Sequence, residues 1–199
     1  TKVRLNPLDV GVDEKKRRIV ELASIKNDYP KVKTCEIAYF DVAKEYEIAN
    51  SESRHAQWDD VITGIRFAAY AKEGVVQENH TKGKADHVGY ELLDDVDEKF
   101  NEALDIATRL LKAKYAKGGR FPVVVDQKLG GVFTHEAVGH ATEADIVLAN
   151  SSVLKDKIGE RIGGDRLTII DNSNEHTYGW TPVDDEGVEG RRTILIKNG

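Results

Sequence analysis

The sequence predicts an α+β fold, an antiparallel β-sheet with packed helices, on three observations. Phe100, Ala103, Leu104, Ala107, Leu110, Leu111 and Tyr115 recur at three-to-four spacing, the pattern of an amphipathic helix. Ahead of them, residues 32–80 hold runs of β-branched and aromatic residues broken by short polar turns such as Lys72-Glu73-Gly74, which read as antiparallel hairpins. Behind them, short apolar runs at 121–125, 167–170 and 193–196 alternate with helical and Gly-rich stretches.

In chain order, residues 13–26 read as a helix. Asp13 can cap it, Glu14 suits its first turn, and Ile19, Leu22, Ala23 and Ile25 form its apolar stripe; Asn27, Asp28 and Pro30 end it. Segments 32–40 and 45–49 form one expected hairpin, 61–71 and 75–80 a second. A long helix is expected over 96–116. Asp94, Asp95 and Asp97 stand near its positive end, Lys112, Lys114 and Lys117 near its negative end, and Gly118-Gly119 stops it. A short buried strand at 121–125 and a polar turn at 126–131 lead into a helix over about 132–148 that carries the chemistry. Strands at 167–170 and 193–196 flank loops rich in Gly and Asp. The expected division is 1–119, a helix, antiparallel strands and the long helix, followed by 120–199, the motif-bearing segment and the start of a β-rich C-terminal domain. The chain starts at Thr1, contains no Met and stops just after a strand-like run, so it is expected to be a piece of a longer polypeptide.

Composition narrows the function. At 40% hydrophobic and 32% charged, the 199 residues can bury a core and stay in solution. There is no long apolar run of membrane-helix type and no signal peptide. A net charge of -6 argues against a general nucleic-acid binder. The basic run from Lys15 to Arg18 reads as a solvated helix face or a local patch. Cys35, the single cysteine, has no intrachain partner, which suits a reducing cytoplasm, and its alternating apolar setting makes it a small core residue.

Residues 134–145 read Thr-His-Glu-Ala-Val-Gly-His-Ala-Thr-Glu-Ala-Asp. Histidines flanking a glutamate suggest a metal-activated water with a carboxylate base, but the spacing is H-E-x-x-x-H, one residue longer than the familiar zinc-peptidase pattern. On an ideal α-helix an i, i+5 pair lies about 140° apart around the axis, against about 40° for i, i+4. His135 and His140 therefore cannot share an ion on a regular helix. Either the motif binds no metal, or the helix is distorted, and a π-bulge with i→i+5 bonding would bring the pair together. The distortion is expected at 138–141, where Gly139 eases it. If the pair binds zinc, Glu136 is the general base and a third protein ligand is needed; His55, His80, His87 and His176 stand in no recognisable ligand context. Glu143 and Asp145 read either as carboxylates that orient the ligands or as a solvated face. The run Asp184-Asp185-Glu186-Gly187 reads as an acidic turn or as carboxylates that line a cleft and hold a substrate amine.

An ordered set of blocks resembles the TldD/PmbA family, formerly described as modulators of DNA gyrase. The blocks are Pro122-Val123-Val124-Val125-Asp126, His135-Glu136-Ala137-Val138-Gly139-His140-Ala141, Glu143-Ala144-Asp145, Ser152 and Ile158-Gly159-Glu160. They are followed by Leu167-Thr168-Ile169-Ile170-Asp171, Asp184-Asp185-Glu186-Gly187-Val188 and Ile194-Leu195-Ile196-Lys197-Asn198-Gly199. The likeness runs over about 30–199, loosely at first (Asn50-Ser51-Glu52) and specifically from 121 onward. It implies a cytoplasmic metallopeptidase acting on peptides or unfolded segments. In the metal-binding branch both motif histidines hold zinc and the glutamate is the base, roles that fall here on His135, His140 and Glu136. The sister branch lacks the motif and is a non-catalytic partner, so a PmbA/TldE-like subunit, or self-association, is implied. The family's third zinc ligand is a cysteine far downstream, beyond Gly199; Cys35 is not its equivalent, and the piece by itself is expected to bind metal weakly or not at all. The stretch 173–180, with His176, Tyr178 and Trp180, departs from the Gly-rich turn the resemblance implies.

Overall fold

The computed structural model describes residues 3–199, which divide into two compact units: residues 3–115 with 173–190, and 116–172 with 191–199.

The first unit is a three-stranded antiparallel sheet packed by helices. Helix α1 (Val12–Ser24) runs into a 3-10 turn at Ile25–Asp28. Its N-cap is Gly11 rather than Asp13, and it makes no side-chain capping bond. Strands β1 (Val32–Ala49), β2 (His55–Glu73) and β3 (Val76–Asp86) follow in the order β1-β2-β3. The expected first hairpin is one uninterrupted strand: Asp41 and Lys44, read as turn residues, pair in register with Thr63 and Asp60. The second hairpin is present, with Gly74 at φ 61 in the β2–β3 turn. A 3-10 segment (Tyr90–Asp95) then leads into helix α2 (Asp97–Leu110). It stops well short of Gly118, because Lys112, Lys114, Tyr115 and Lys117 offer no apolar face to continue the packed stripe.

Alternation along β2 places Ile65, Phe67, Ala69 and Ala71 in the core with Leu22, Leu93, Val96, Phe100, Leu104 and Ala107. Phe67 and Phe100, both fully buried, meet at 5.0 Å between ring centroids. On the opposite sheet face Phe40 lies over its register partner Gly64, where a Cβ would come within 2.4 Å of the ring, so a larger residue would have to push the ring aside. Two residues of the basic run of α1 are paired: Lys15 binds Asp41 at 2.7 Å, and Arg18 binds Asp97 and donates to the Leu93 carbonyl at 2.9 Å.

Residues 173–190 also belong to this unit. They are built of turns, with Asp184 accepting from the Glu186 and Val188 amides at 2.9 Å and Gly187 in the left-handed region. The acidic run is therefore a turn.

The second unit contains helices α3 (Gln127–Thr134) and α4 (Ala144–Leu148) and a two-stranded sheet of β4 (Ile169–Asn172) and β5 (Arg192–Ile196). Residues 121–125, expected as a short buried strand, form none and stand exposed, with Val124 fully so. A strand exists by its pairing, and among the described residues β4 and β5 pair only with each other. Among the described residues, no helix is long and apolar enough to cross a membrane.

Candidate metal centre

The motif sits on a helix whose hydrogen-bonding changes at the chemically interesting residues. Asp126 caps α3, accepting from the Leu129 amide at 2.8 Å, so the helix begins at Gln127 and Gly130-Gly131, read as turn, lie inside it. The α-helix ends at Thr134, and His135–Gly139 form a π-turn. The His140 amide donates to the His135 carbonyl, the i→i+5 bond that defines it. A 3-10 turn (His140–Thr142) follows, and extended Glu143 (φ -65, ψ 133) breaks the helix before α4. The expected irregularity is present; it starts at His135 and runs to Thr142, wider than 138–141. Gly139 keeps right-handed helical dihedrals (φ -51, ψ -61), and a Cβ there would lie 3.6 Å from His135 Nδ1, an ordinary contact, so the π-turn does not depend on glycine.

The consequence is direct. The imidazoles of His135 and His140 stand with centroids 4.5 Å apart, edge to face. His135, Glu136 and His140 each offer a ligand atom, all within 4.8 Å of one another. Two nitrogens on one tetrahedral zinc, each at 2.0–2.1 Å, are about 3.4 Å apart. The donor set therefore fits a divalent ion after small side-chain rotations. Glu136 Oε2 lies 3.7 Å from His140 Nε2, and both side chains remain accessible, 65% and 46% exposed.

Glu143 adds a contact that spacing alone left open. Its Oε1 lies 2.7 Å from His140 Nδ1, so the carboxylate accepts from Nδ1–H and leaves the Nε2 lone pair for an ion. The sequence signal was the i, i+3 separation from His140. Asp145 instead accepts from the neighbouring Ile146 amide at 2.9 Å. Ser152 ties the turn down by donating to the Ala141 carbonyl at 2.5 Å, and Thr142 donates to the Gly139 carbonyl at 2.8 Å. The cleft beside the motif, about 500 Å³ and lined by Val138, Thr142, Leu154 and Leu195, includes neither histidine.

The remaining candidate ligands lie in the other unit and do not join the group. His55 bonds Glu47 at 2.9 Å, and His87 bonds Asp60 at 2.7 Å. Cys35 packs against the core, where burial pushes its thiol pKa up against a smaller lowering by Lys26, the setting of an inert thiol.

Comparisons with known proteins give the chain its relatives. The profile of the PmbA/TldA metallopeptidase C-terminal domain matches residues 118–199. A metalloprotease of Methanocaldococcus jannaschii is 40% identical over 98% of this chain and 44% of its own length. A zinc metalloprotease TldD homolog of Saccharolobus solfataricus is 34% identical over 94% of this chain and 43% of its own. This chain thus spans less than half the length of these relatives. Among solved structures, a Thermotoga maritima protein described as a candidate modulator of a DNA gyrase matches the whole chain with TM-score 0.83 at 21% identity, over 46% of its own length. TldE from Thermococcus kodakarensis matches the whole chain at TM-score 0.69 and 17% identity, again over 46% of its length. At these identities the structural matches speak for the fold, an α+β arrangement.

Proposed function

The chain belongs to the TldD/PmbA family, and from that premise we propose that it carries the metal motif of a zinc-dependent peptidase that hydrolyses peptide bonds in peptides or unfolded segments in the cytoplasm. The observation that carries the reading is the π-turn, which sets two imidazoles five positions apart side by side. In this reading His135 and His140 would hold the zinc, with Glu143 fixing the His140 tautomer. A third ligand is a cysteine expected beyond Gly199. Zinc held there would supply a Lewis acid able to acidify a water and polarise a carbonyl.

Glu136 is the general base. It takes a proton from the attacking water and delivers it to the departing amine, so that nucleophile and leaving group are each handled at near-neutral pH. Its side chain, 65% exposed, is open to solvent and substrate. The protein works with a PmbA/TldE-like partner subunit or with a second copy of itself, a reading supported by the fold shared with TldE.

Glu136→Gln in the full-length protein tests the assignment. Cleavage of an unfolded protein substrate falls by roughly 100-fold or more while zinc content is unchanged. Loss of zinc would make Glu136 a ligand instead of the base. Unchanged cleavage would reject catalysis by this motif and favour a non-catalytic binding or regulatory subunit.

A further inference from the structure

His87 is bound at both ring nitrogens. Its Nδ1 lies 2.7 Å from Asp60 Oδ1, and its Nε2 lies 3.2 Å from the Tyr178 carbonyl. A carbonyl oxygen only accepts, and a neutral imidazole carries a single N–H and a lone pair on its other nitrogen. Satisfying both contacts therefore takes two protons on the His87–Asp60 pair, one between Nδ1 and the carboxylate and one on Nε2. With one proton fewer, a lone pair would face either the carboxylate or the carbonyl. The His87 and Asp60 side chains are 5% and 7% exposed, so little water is at hand to replace a lost partner.

We propose that His87 is a proton-dependent clasp that holds residues 176–180 on the sheet unit while both ring nitrogens are protonated and loosens them as the pH rises. Tyr178 belongs to the stretch 173–190, which joins β4 to β5 yet folds into the sheet unit. When the ring gives up a proton, the one that stays is shared with Asp60, because a hydrogen bond to an ionised acceptor is about twice as strong as one between neutral groups. The bond that is lost is the one to Tyr178. The rings around His87 come from the same stretch: Trp180 stands edge-on at 5.3 Å and Tyr178 is tilted at 6.4 Å. Farther along, the stretch is tethered by groups that do not titrate near neutral pH. Asn50 Nδ2 and Arg54 Nη1 donate to the Glu186 carbonyl at 3.0 and 3.2 Å. The loosening is therefore confined to 176–180.

Other ionisable groups come from each element packed on the clasp. On β2 there is Asp60 itself, whose register partner on β1 is Lys44. At the end of β3, Asp86 accepts from the His87 amide at 2.9 Å. The stretch 173–190 brings Tyr178, Asp185, which lines one cleft with Asp60 and Trp180, and His176, which stacks on Trp180 at 4.9 Å. His176 shares the imidazole chemistry of His87 and touches the same tryptophan, so its protonation must be separated from that of the clasp.

The test follows the ring nitrogens of His87 and the backbone amides of the nitrogen-15-labelled full-length protein from about pH 5 to about pH 9. At the acidic end both ring nitrogens carry protons, and the Trp180 amide, which donates to the Thr177 carbonyl at 2.9 Å, is protected from exchange. As the pH rises Nε2 loses its proton and Nδ1 keeps its own. Protection of the Trp180 amide, corrected for the intrinsic pH dependence of exchange, falls about tenfold on the same curve. The Glu186 amide, held by Asp184, keeps its protection. His176→Gln leaves the curve in place, and His87→Gln flattens it. The wild-type ring nitrogens decide the matter even where His87→Gln fails to fold. An Nε2 that stays unprotonated or stays protonated over the whole range would overturn the proposal. So would a Trp180 amide that does not follow it, or a curve that vanishes in His176→Gln and survives in His87→Gln.

Discussion

The two units of this protein are ordered by different means. In the sheet unit, Phe67, Phe100, Leu22 and Leu104 are fully buried, and regular β1–β3 and α2 follow from that burial. In the motif unit, large apolar residues such as Val124 and Ile158 are fully exposed, and the site is shaped by individual hydrogen bonds: the Asp126 cap, the His140-to-His135 bond, the Glu143 contact and the Ser152 tether. Burial orders the sheet unit, whereas individual hydrogen bonds set the geometry of the motif. Substitutions in the two should therefore register on different observables.

The largest effect expected is on metal affinity. His135→Ala or His140→Ala lowers zinc affinity of the full-length protein by roughly 100-fold or more, measured against a chromophoric chelator, and leaves the unfolding of the sheet unit in place. Phe100→Ala acts the other way. It empties a fully buried ring site beside Phe67 and costs about 3–5 kcal/mol of stability in denaturant unfolding, with zinc affinity unchanged. A parallel loss of zinc affinity would break the comparison.

Smaller changes sharpen it. Glu143→Gln keeps the shape and removes the charge that holds His140 Nδ1–H, and zinc affinity falls about 10- to 100-fold with little change in stability, since the carboxylate is 46% exposed. Asp126→Ala removes the cap of α3 and costs about 1 kcal/mol, read as faster hydrogen exchange at the Leu129 amide.

The same contrast explains what the sequence disclosed. The apolar period of α2 and the β-branched runs of β2 are legible because burial selects residues at a fixed repeat, and Phe100, Ala103, Leu104 and Ala107 all face the core. Asp41 and Lys44 misled as turn residues because pairing with β2, and the ion pair from Lys15, outweigh their weak strand preference. Residues 121–125 misled in the opposite direction, since β-forming side chains make no strand without a partner. At the site, i, i+5 spacing called for an irregular turn if the two histidines were to share an ion, and one is present. Its start at His135 was not legible, because the glycine that seemed to mark the break is dispensable to the backbone. For Glu143 the sequence left two readings, an orienting carboxylate or a solvated face, because its reach to His140 depends on the helix break at its own φ and ψ.

The most direct measurement is anomalous scattering at the zinc edge from crystals of the full-length protein. The π-turn account predicts a peak within coordination distance of a nitrogen of both His135 and His140, with the His135–Gly139 turn keeping its i→i+5 bond. A peak bound to one of these histidines or to neither, or a regular α-turn that sends the two rings to opposite sides of the helix, would contradict it.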